Sequence, residues 1–117
     1  MIAVGWLGAE HPFTRGTVSK EFYSRLQELM ARRFEPVATA GVHRCELCQF
    51  DAPAAGGNLF VPDGERMFVA PELIVHYIAA HHYQPPEPFI RAVMQCPTPG
   101  GMDYRRRFLA AGGGTLS

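Results

Sequence analysis

Four residues of the chain carry side chains that bind transition metals, and they are spaced as in zinc sites. Cys45 and Cys48 enclose two residues, and His76 and His81, which enclose four, follow later in the chain. Zinc takes four donors in a tetrahedron, and two thiolates neutralise its charge. A tight C-x-x-C turn, the knuckle of residues 45–48, directs both sulfurs toward one point. The spacing therefore predicts a zinc ion bound by these four residues.

The helix that would carry the two histidines sets a geometric condition on this site. On an ideal helix, at about 100° per residue, His76 and His81 are separated by about 140°. A distorted last helical turn ahead of Pro85 must therefore bring both rings to one ion. His82 lies about 240° from His76 on the same helix and is predicted to face solvent. His43 stays open as a replacement ligand, a hydrogen-bond partner of the site or an exposed strand residue.

The cysteines have two other interpretations. They could be small buried hydrophobic residues, with the histidines satisfied inside the core. They could also form a redox pair, but thioredoxin-like chemistry places such a pair at the start of a helix, and residues 49–53 do not resemble one. Cys96 is distant in sequence from the other two, and a buried free thiol is favoured for it. The odd number of cysteines, 3, and their spacing favour metal binding over a disulfide.

An amphipathic helix is predicted ahead of the cysteines. The apolar spacing of Phe22, Leu26 and Leu29 predicts it over residues 19–34, with Ser19 able to cap its start. Most charged residues of this segment fall on the other face. The helix is expected to pack across the elements that hold the metal.

A hairpin and a second helix are predicted between the cysteines and the end of the histidine pair. Residues 58–62 and 66–69 are two β-prone runs around an Asp-Gly sequence, and glycine accepts the positive φ of a tight turn. Pro71 suits the first position of a helix, so that helix is predicted over residues 71–82. The order of knuckle, hairpin and histidine-bearing helix is that of a zinc finger with an enlarged hairpin.

The remaining elements are short. A strand is predicted over residues 2–7 and a helix over residues 87–95, and the glycine-rich residues 110–117 are expected to fray. A chain of 117 residues is long enough for one domain, so residues 1–117 are assigned to a single zinc-binding domain. The predicted class is α+β, with a zinc-finger-like ββα core and an N-terminal amphipathic helix.

The charge balance and the apolar runs exclude some kinds of partner. Eleven Lys and Arg residues balance eleven Asp and Glu residues, so no global field attracts nucleic acid. The basic run of Arg105, Arg106 and Arg107 is assigned to a solvated helix face rather than to a phosphate site. The apolar runs are too short for a membrane span, and no signal peptide is recognised. We therefore expect a cytoplasmic protein and do not expect a membrane or nucleic acid as its partner.

Three strings of the sequence match a set of motifs. HRCELC, NLFVP and APELIVHYIAAHHYQPP match H-x-C-x-x-C, N-L-x-V-P and A-P-x-x-I-x-H-Y-I-x-x-H-x-Y-x-P-P, and GWLG lies near the start. In these motifs, over most of residues 5–97, the chain resembles a group of small uncharacterised bacterial proteins. The resemblance implies a zinc site at Cys45, Cys48, His76 and His81 and no particular activity.

The remaining motifs bear on function. The chain holds no nucleophile elbow, no phosphate-binding glycine loop and no H-E-x-x-H motif. Four protein donors can close the zinc shell, whereas catalytic zinc keeps one position for water. The sequence therefore favours a structural zinc, in a protein-interaction or regulatory module with an unidentified protein partner, over an enzyme. The alternatives are a metal-dependent hydrolase with Glu46 or Glu72 as base, and a nucleic-acid binder using Arg105, Arg106 and Arg107.

Overall fold

The secondary structure follows the α+β class that the sequence predicts. A computed structural model of the chain describes residues 1–35 and 42–116. The strands in these residues are β1 (Ile2–Ala3), β2 (His43–Arg44), β3 (Ala54–Ala55), β4 (Asn58–Asp63) and β5 (Arg66–Pro71). The helices are α1 (Lys20–Ala31), α2 (Ile74–His81), α3 (Glu87–Gln95) and α4 (Met102–Ala110), followed by a 3-10 turn at Gly113–Leu116.

Two small sheets organise the strands. In the first sheet β5 is central, with β1 parallel to it on one side and β4 antiparallel to it on the other. In the second sheet β2 pairs antiparallel with β3 on either side of the knuckle. Helices α1, α3 and α4 all contact β4, so the first sheet and the helices enclose the core.

One apolar core serves the whole domain. Its largest fully buried side chains come from α1, β4, α2, α3 and α4 and are Phe22, Leu26, Leu29, Leu59, Val61, Ile74, Phe89, Val93 and Tyr104. Because every one of these elements contributes to the same core, the chain forms a single domain. None of the helices in the described ranges is long and apolar enough to cross a membrane.

The predicted hairpin is confirmed and is longer than predicted. β4 and β5 pair along their whole length, and Asp63 lies opposite Arg66. Gly64 and Glu65 therefore form a two-residue turn, in which Gly64 has a φ of 64°. Glycine adopts this positive φ at little cost, whereas other residues are strained by it. Because β5 is the second strand of the hairpin, α2 follows the central strand of the sheet after a connection of two residues.

The histidine-bearing helix begins later than the predicted range of residues 71–82. Pro71 is the last residue of β5, where it lies opposite Asn58, and α2 begins at Ile74. Proline is tolerated at a strand end because a missing N–H there removes little of the ladder. Pairing with β4 therefore took precedence over the preference of proline for a first helical turn. The helix ends at His81, one residue before the predicted end.

Two other predicted helices are confirmed, one of them with a shift at its end. α1 begins after Ser19, whose side-chain oxygen accepts a hydrogen bond from the N–H of Phe22 at 3.1 Å. It ends at Ala31 rather than at residue 34. α3 occupies the predicted residues 87–95. The strand predicted over residues 2–7 ends at residue 3, and Gly5, with a φ of 90°, interrupts the extended backbone beyond it.

No bounds are predicted for the helix that carries the arginine run, and the structure forms α4 at Met102–Ala110. Tyr104 and Phe108, four residues apart, are both buried, and the Tyr104 hydroxyl donates to the carbonyl of Phe60 at 2.6 Å. The helical spacing of apolar residues is limited to this pair, and glycines lie on both sides, so the sequence pattern does not define the bounds of the helix. Gly113 in the 3-10 turn packs against Phe108. The predicted fraying of residues 110–117, of which residue 117 lies outside the described part, concerns motion and stays a prediction.

Candidate metal centre

The second sheet and the N-terminal segment hold the knuckle. β2 and β3 pair on either side of it, and the N–H of Cys45 donates to the carbonyl of Pro53 at 3.0 Å. The carboxylate of Glu46 accepts a hydrogen bond from the N–H of Ala9 at 3.2 Å. These contacts close the loop from which Cys45 and Cys48 reach the same place.

The last turn of α2 is distorted, as the spacing of its histidines requires. His81 is the last helical residue, and the next residue, His82, is left-handed with a φ of 58°. The N–H groups of His82 and Tyr83 both donate to the carbonyl of Tyr77. This turn is therefore wider than a regular α-helical turn, in which the bond spans four residues. The ring centroids of His76 and His81 lie 5.1 Å apart as a result.

The four predicted ligand side chains meet at one point. The Sγ of Cys48 lies 3.3 Å from the Nε2 of His76 and 3.4 Å from the Nε2 of His81. The Sγ of Cys45 lies 3.4 Å from the same His81 nitrogen, and all four ligand atoms lie within 4.8 Å of one another. With Zn–S of about 2.3 Å and Zn–N of about 2.0 Å, neighbouring sulfur and nitrogen in a tetrahedral site are about 3.5 Å apart. The arrangement therefore fits a tetrahedral metal ion.

Two of the four side chains, Cys48 and His76, have pKa values shifted toward their neutral forms. Partial burial and the neighbouring Cys45 raise the pKa of the Cys48 thiol. Partial burial and the neighbouring His81 lower the pKa of His76. Two adjacent thiolates repel each other, as do two imidazolium rings, whereas a divalent cation stabilises thiolates and takes neutral imidazoles as ligands. A bound divalent cation is therefore expected to stabilise this group of side chains more than their protonation does.

The two other histidines weighed in the ligand prediction, His43 and His82, lie outside the group. His43 is exposed on β2, so of the three roles left open for it the structure places it as an exposed strand residue. His82 is exposed, as predicted, and its carbonyl accepts a hydrogen bond from the N–H of Gly16 at 2.9 Å. Neither belongs to the cluster of four side chains that could bind a metal ion.

The third cysteine is a buried free thiol, as predicted. Cys96 follows the last residue of α3 and forms no disulfide. Burial raises the pKa of its thiol to about 11, against a smaller opposing effect of Arg25 and Arg107. Its Sγ lies 3.3 Å from the carbonyl of Pro97, to which it donates. This thiol is therefore a poor nucleophile and belongs to the apolar core.

The basic run lies on the exposed face of α4. Arg106 and Arg107 approach Asp103 at 4.0 and 3.4 Å. Arg107 also donates to the carbonyl of Gln95 at 3.0 Å, and Arg105 is exposed. The run forms the solvated helix face that the sequence predicts.

The two carboxylates considered as candidate bases have structural partners. Glu46 joins the knuckle to Ala9, as described above. Glu72 lies 3.3 Å from the guanidinium of Arg33, and its backbone N–H donates to the carbonyl of Gly57 at 2.8 Å. Each therefore links two segments of the fold.

Two strained residues beside the centre have no counterpart in the sequence analysis. Asp51, with a φ of 49°, follows the knuckle, and His82 follows α2; they are the non-glycine residues with positive φ in the described ranges. A left-handed conformation costs such residues about 1–2 kcal/mol. Strain of this kind collects at functional sites. Residue spacing carries no signal for it, because the same residue types are usually right-handed or extended.

The family comparison covers most of the domain. A family model described as a domain of unknown function, DUF7919, matches residues 1–94. That range contains the knuckle and both histidines of α2, and it excludes α4. No curated protein and no solved structure matches the chain. Because the family model matches residues 1–94, which is more than half of the sequence, the chain belongs to the DUF7919 domain family.

Proposed function

We propose that the chain is a zinc-binding protein whose ion is structural and which serves as a protein-interaction or regulatory module. The observation that carries the metal part is the convergence of two thiols and two imidazoles within 4.8 Å. The donors come from two separate elements, the knuckle and α2. An ion shared between them therefore cross-links a loop to the end of a helix.

The donor set favours zinc over other metals. Thiolate and imidazole are the ligands of closed tetrahedral zinc sites, whereas calcium and magnesium take oxygen ligands. The sulfur-to-nitrogen separations of 3.3–3.4 Å are close to the edges of such a tetrahedron. Because copper(I) and iron also accept thiolates, the experiment must identify the metal as well as count it.

The number of donors and the nearby carboxylates support a structural role. Four protein ligands fill a tetrahedron and leave no position for a water molecule. Glu46 accepts a hydrogen bond from Ala9, and Glu72 pairs with Arg33. A hydrolase would need an open metal position and a carboxylate free to accept a proton. Neither carboxylate considered for that role is free.

The chemistry of the surface supports a protein partner. The net charge is zero, and two of the three clustered arginines are paired with Asp103, so we do not propose nucleic acid as the partner. We place the module in the cytoplasm, because its three cysteines are free and free thiols persist in reducing compartments.

Metal analysis of protein purified without chelator or nickel resin tests the proposal. One zinc per chain is expected for the wild type and for the controls His43→Ala and His82→Ala, which remove exposed histidines outside the cluster. Cys48→Ser and His76→Ala should lose most of the zinc, since each removes one of four ligands. Less than half an equivalent of any transition metal in the wild type would contradict the metal proposal.

Cobalt substitution separates a structural site from a catalytic one. The tetrahedral cobalt spectrum should be insensitive to azide and to pH near neutrality, because no bound water is present to exchange or to ionise. A catalytic site would take up azide, and its water would titrate at a pH of about 7. Band shifts at azide concentrations that leave the cobalt bound would overturn the structural role and support the hydrolase.

A further inference from the structure

A groove beside β1 brings together sequence motifs that the metal centre does not use. It has a volume of about 670 Å³. One wall comes from residues 3–7, which include the Gly-Trp-Leu string, and the other from residues 83–87, Tyr-Gln-Pro-Pro-Glu. Segments distant in sequence therefore meet at one open surface, and both carry residues suited to recognition.

The groove exposes an aromatic side chain that has no polar partner. Trp6 is 42% exposed, and its indole N–H makes no hydrogen bond within the described ranges. Beside it, Phe13 packs edge-on against Tyr83 with ring centroids 6.1 Å apart. The Arg15 guanidinium lies 4.8 Å from the Phe13 ring centre, so Trp6 offers the more accessible ring. Half-exposed tryptophan with a free donor is typical of binding surfaces.

The polar groups of the groove limit what it can bind. Glu87 is an exposed carboxylate at its end and forms no ion pair within the part of the chain that the structure describes. Val4 donates its N–H to Val69 of β5, so the backbone groups of Ala3 point away from β5.

The free strand edge is too short for an added β-strand. Strand addition requires a row of free N–H and C=O groups on alternate residues. Here β1 comprises only Ile2 and Ala3, and the positive φ of Gly5 interrupts the extended backbone beyond it, which leaves Ala3 as the open position. A ligand of this groove must therefore be recognised mainly through its side chains and carbonyl groups.

We infer that the groove binds a proline-rich segment of a partner protein, in the polyproline II conformation, with a basic residue at one end. Proline rings pack on aromatic faces such as that of Trp6, and polyproline carbonyls are free to accept the indole N–H. The basic residue pairs with Glu87. This inference rests on the proposed interaction role and not on the metal site.

The single tryptophan makes the groove directly observable. The chain has 1 Trp, so tryptophan emission, excited selectively over the 4 Tyr residues, reports on this surface alone. The probe is an acetylated peptide of eight prolines followed by two arginines. We expect a saturable blue shift of Trp6 emission at peptide concentrations below about 1 mM, which corresponds to weak but specific binding.

Variants test the two assigned contacts. Glu87→Gln should weaken binding about 3- to 10-fold and reduce its salt dependence. Trp6→Phe should weaken it more than about 10-fold, measured by calorimetry because the fluorescent reporter is lost. Glu65→Gln is the matched control, because Glu65 is also an exposed carboxylate but lies at the hairpin turn outside the groove. It should bind like the wild type.

Three results would overturn the inference. One is the absence of a saturable response in zinc-loaded, folded protein, which would leave the metal proposal intact. Another is equal binding of a glycine-serine peptide that ends in two arginines, since charge alone would then explain the response. The third is tighter binding of an alternating valine-lysine peptide, which would assign the groove to strand pairing at Ala3. Conversely, protein that purifies without metal and still binds the proline peptide would support the groove, and its metal content alone would contradict the metal proposal.

Discussion

The knuckle region and the apolar core are stabilised by different physics. In the core, Phe89 packs edge-on against Phe22 and Phe68, with centroids 6.4 and 5.7 Å away, and is fully buried. Around the knuckle the paired strands have two residues each, and Phe50 is 83% exposed. The core is therefore stabilised by apolar burial, whereas the knuckle region has little apolar surface to bury.

This difference explains why a structural ion would be needed at the knuckle and not in the apolar core. Structural zinc in small fingers contributes about 10–16 kcal/mol at neutral pH, which replaces the missing core there. A contribution of this size, taken alone, predicts that losing the ion unfolds the whole domain. The separate apolar core narrows that expectation to the knuckle and the last turn of α2.

Removing the metal should have the largest effect, and the effect should be local. With chelator, we expect hydrogen exchange of residues 43–55 to accelerate by about 100-fold or more, because the cross-link to α2 is lost. Exchange in β4 and α3 should change by less than about tenfold. Cys48→Ser should behave like the chelated wild type with or without chelator. Loss of protection throughout the chain would show that the core also depends on the ion.

Phe89→Ala should have the next largest effect, in the core. Removing a fully buried aromatic ring typically costs about 3–5 kcal/mol, because a cavity remains where it packed. Denaturant unfolding measures this loss, and metal analysis of the folded variant should still find one equivalent. The exposed Phe50→Ala is the control and should change the free energy of unfolding by less than about 0.5 kcal/mol. Loss of metal from folded Phe89→Ala would contradict the independence of the two regions.

Thiol reactivity should separate the two regions by a smaller factor. After metal removal at pH 8, Cys96 should be alkylated at least about tenfold more slowly than Cys48, because Cys96 is buried whereas Cys48 is only partly buried, and burial raises the pKa of Cys96 to about 11. Raising the pH toward that value should accelerate its reaction. Mass spectrometry counts the modified thiols, and urea-unfolded protein, in which all three react alike, is the control. Fast reaction of Cys96 in folded protein would be inconsistent with its place in the core.

His82→Gly should have the smallest effect and the opposite sign. Glycine relieves the left-handed strain at this position but adds chain entropy to the unfolded state, so we expect a net gain of about 0.5–1 kcal/mol. His82→Ala keeps the strain and should bring no gain. Thermal unfolding of zinc-loaded protein measures both. A loss of stability or of zinc in the glycine variant would show that the His82 side chain supports the site.

Much of the local structure follows from neighbouring residues alone. The Ser19 cap, the glycine of the hairpin turn and helix α3 depend on interactions within a few positions of the chain. The C-x-x-C and histidine spacing likewise points to a single cluster, and the fold brings Cys48 within 3.3 Å of His76. The cap, the turn and the helix are predictable because their physics is short-range, whereas the spacing predicts only which four residues belong together.

Other features depend on contacts between distant segments. Pro71 became the end of β5 because Asn58 lies opposite it, and α4 forms where Tyr104 can bond to Phe60. Neither contact can be recognised from the residues next to Pro71 or Tyr104, because the partner residue lies elsewhere in the chain. The left-handed His82, which accompanies the turn of both rings toward the knuckle, is strained when considered alone and is compensated by the packed fold. The amino-acid sequence thus specifies the donor types and their elements, while long-range pairing and packing set helix boundaries and the meeting of the four side chains.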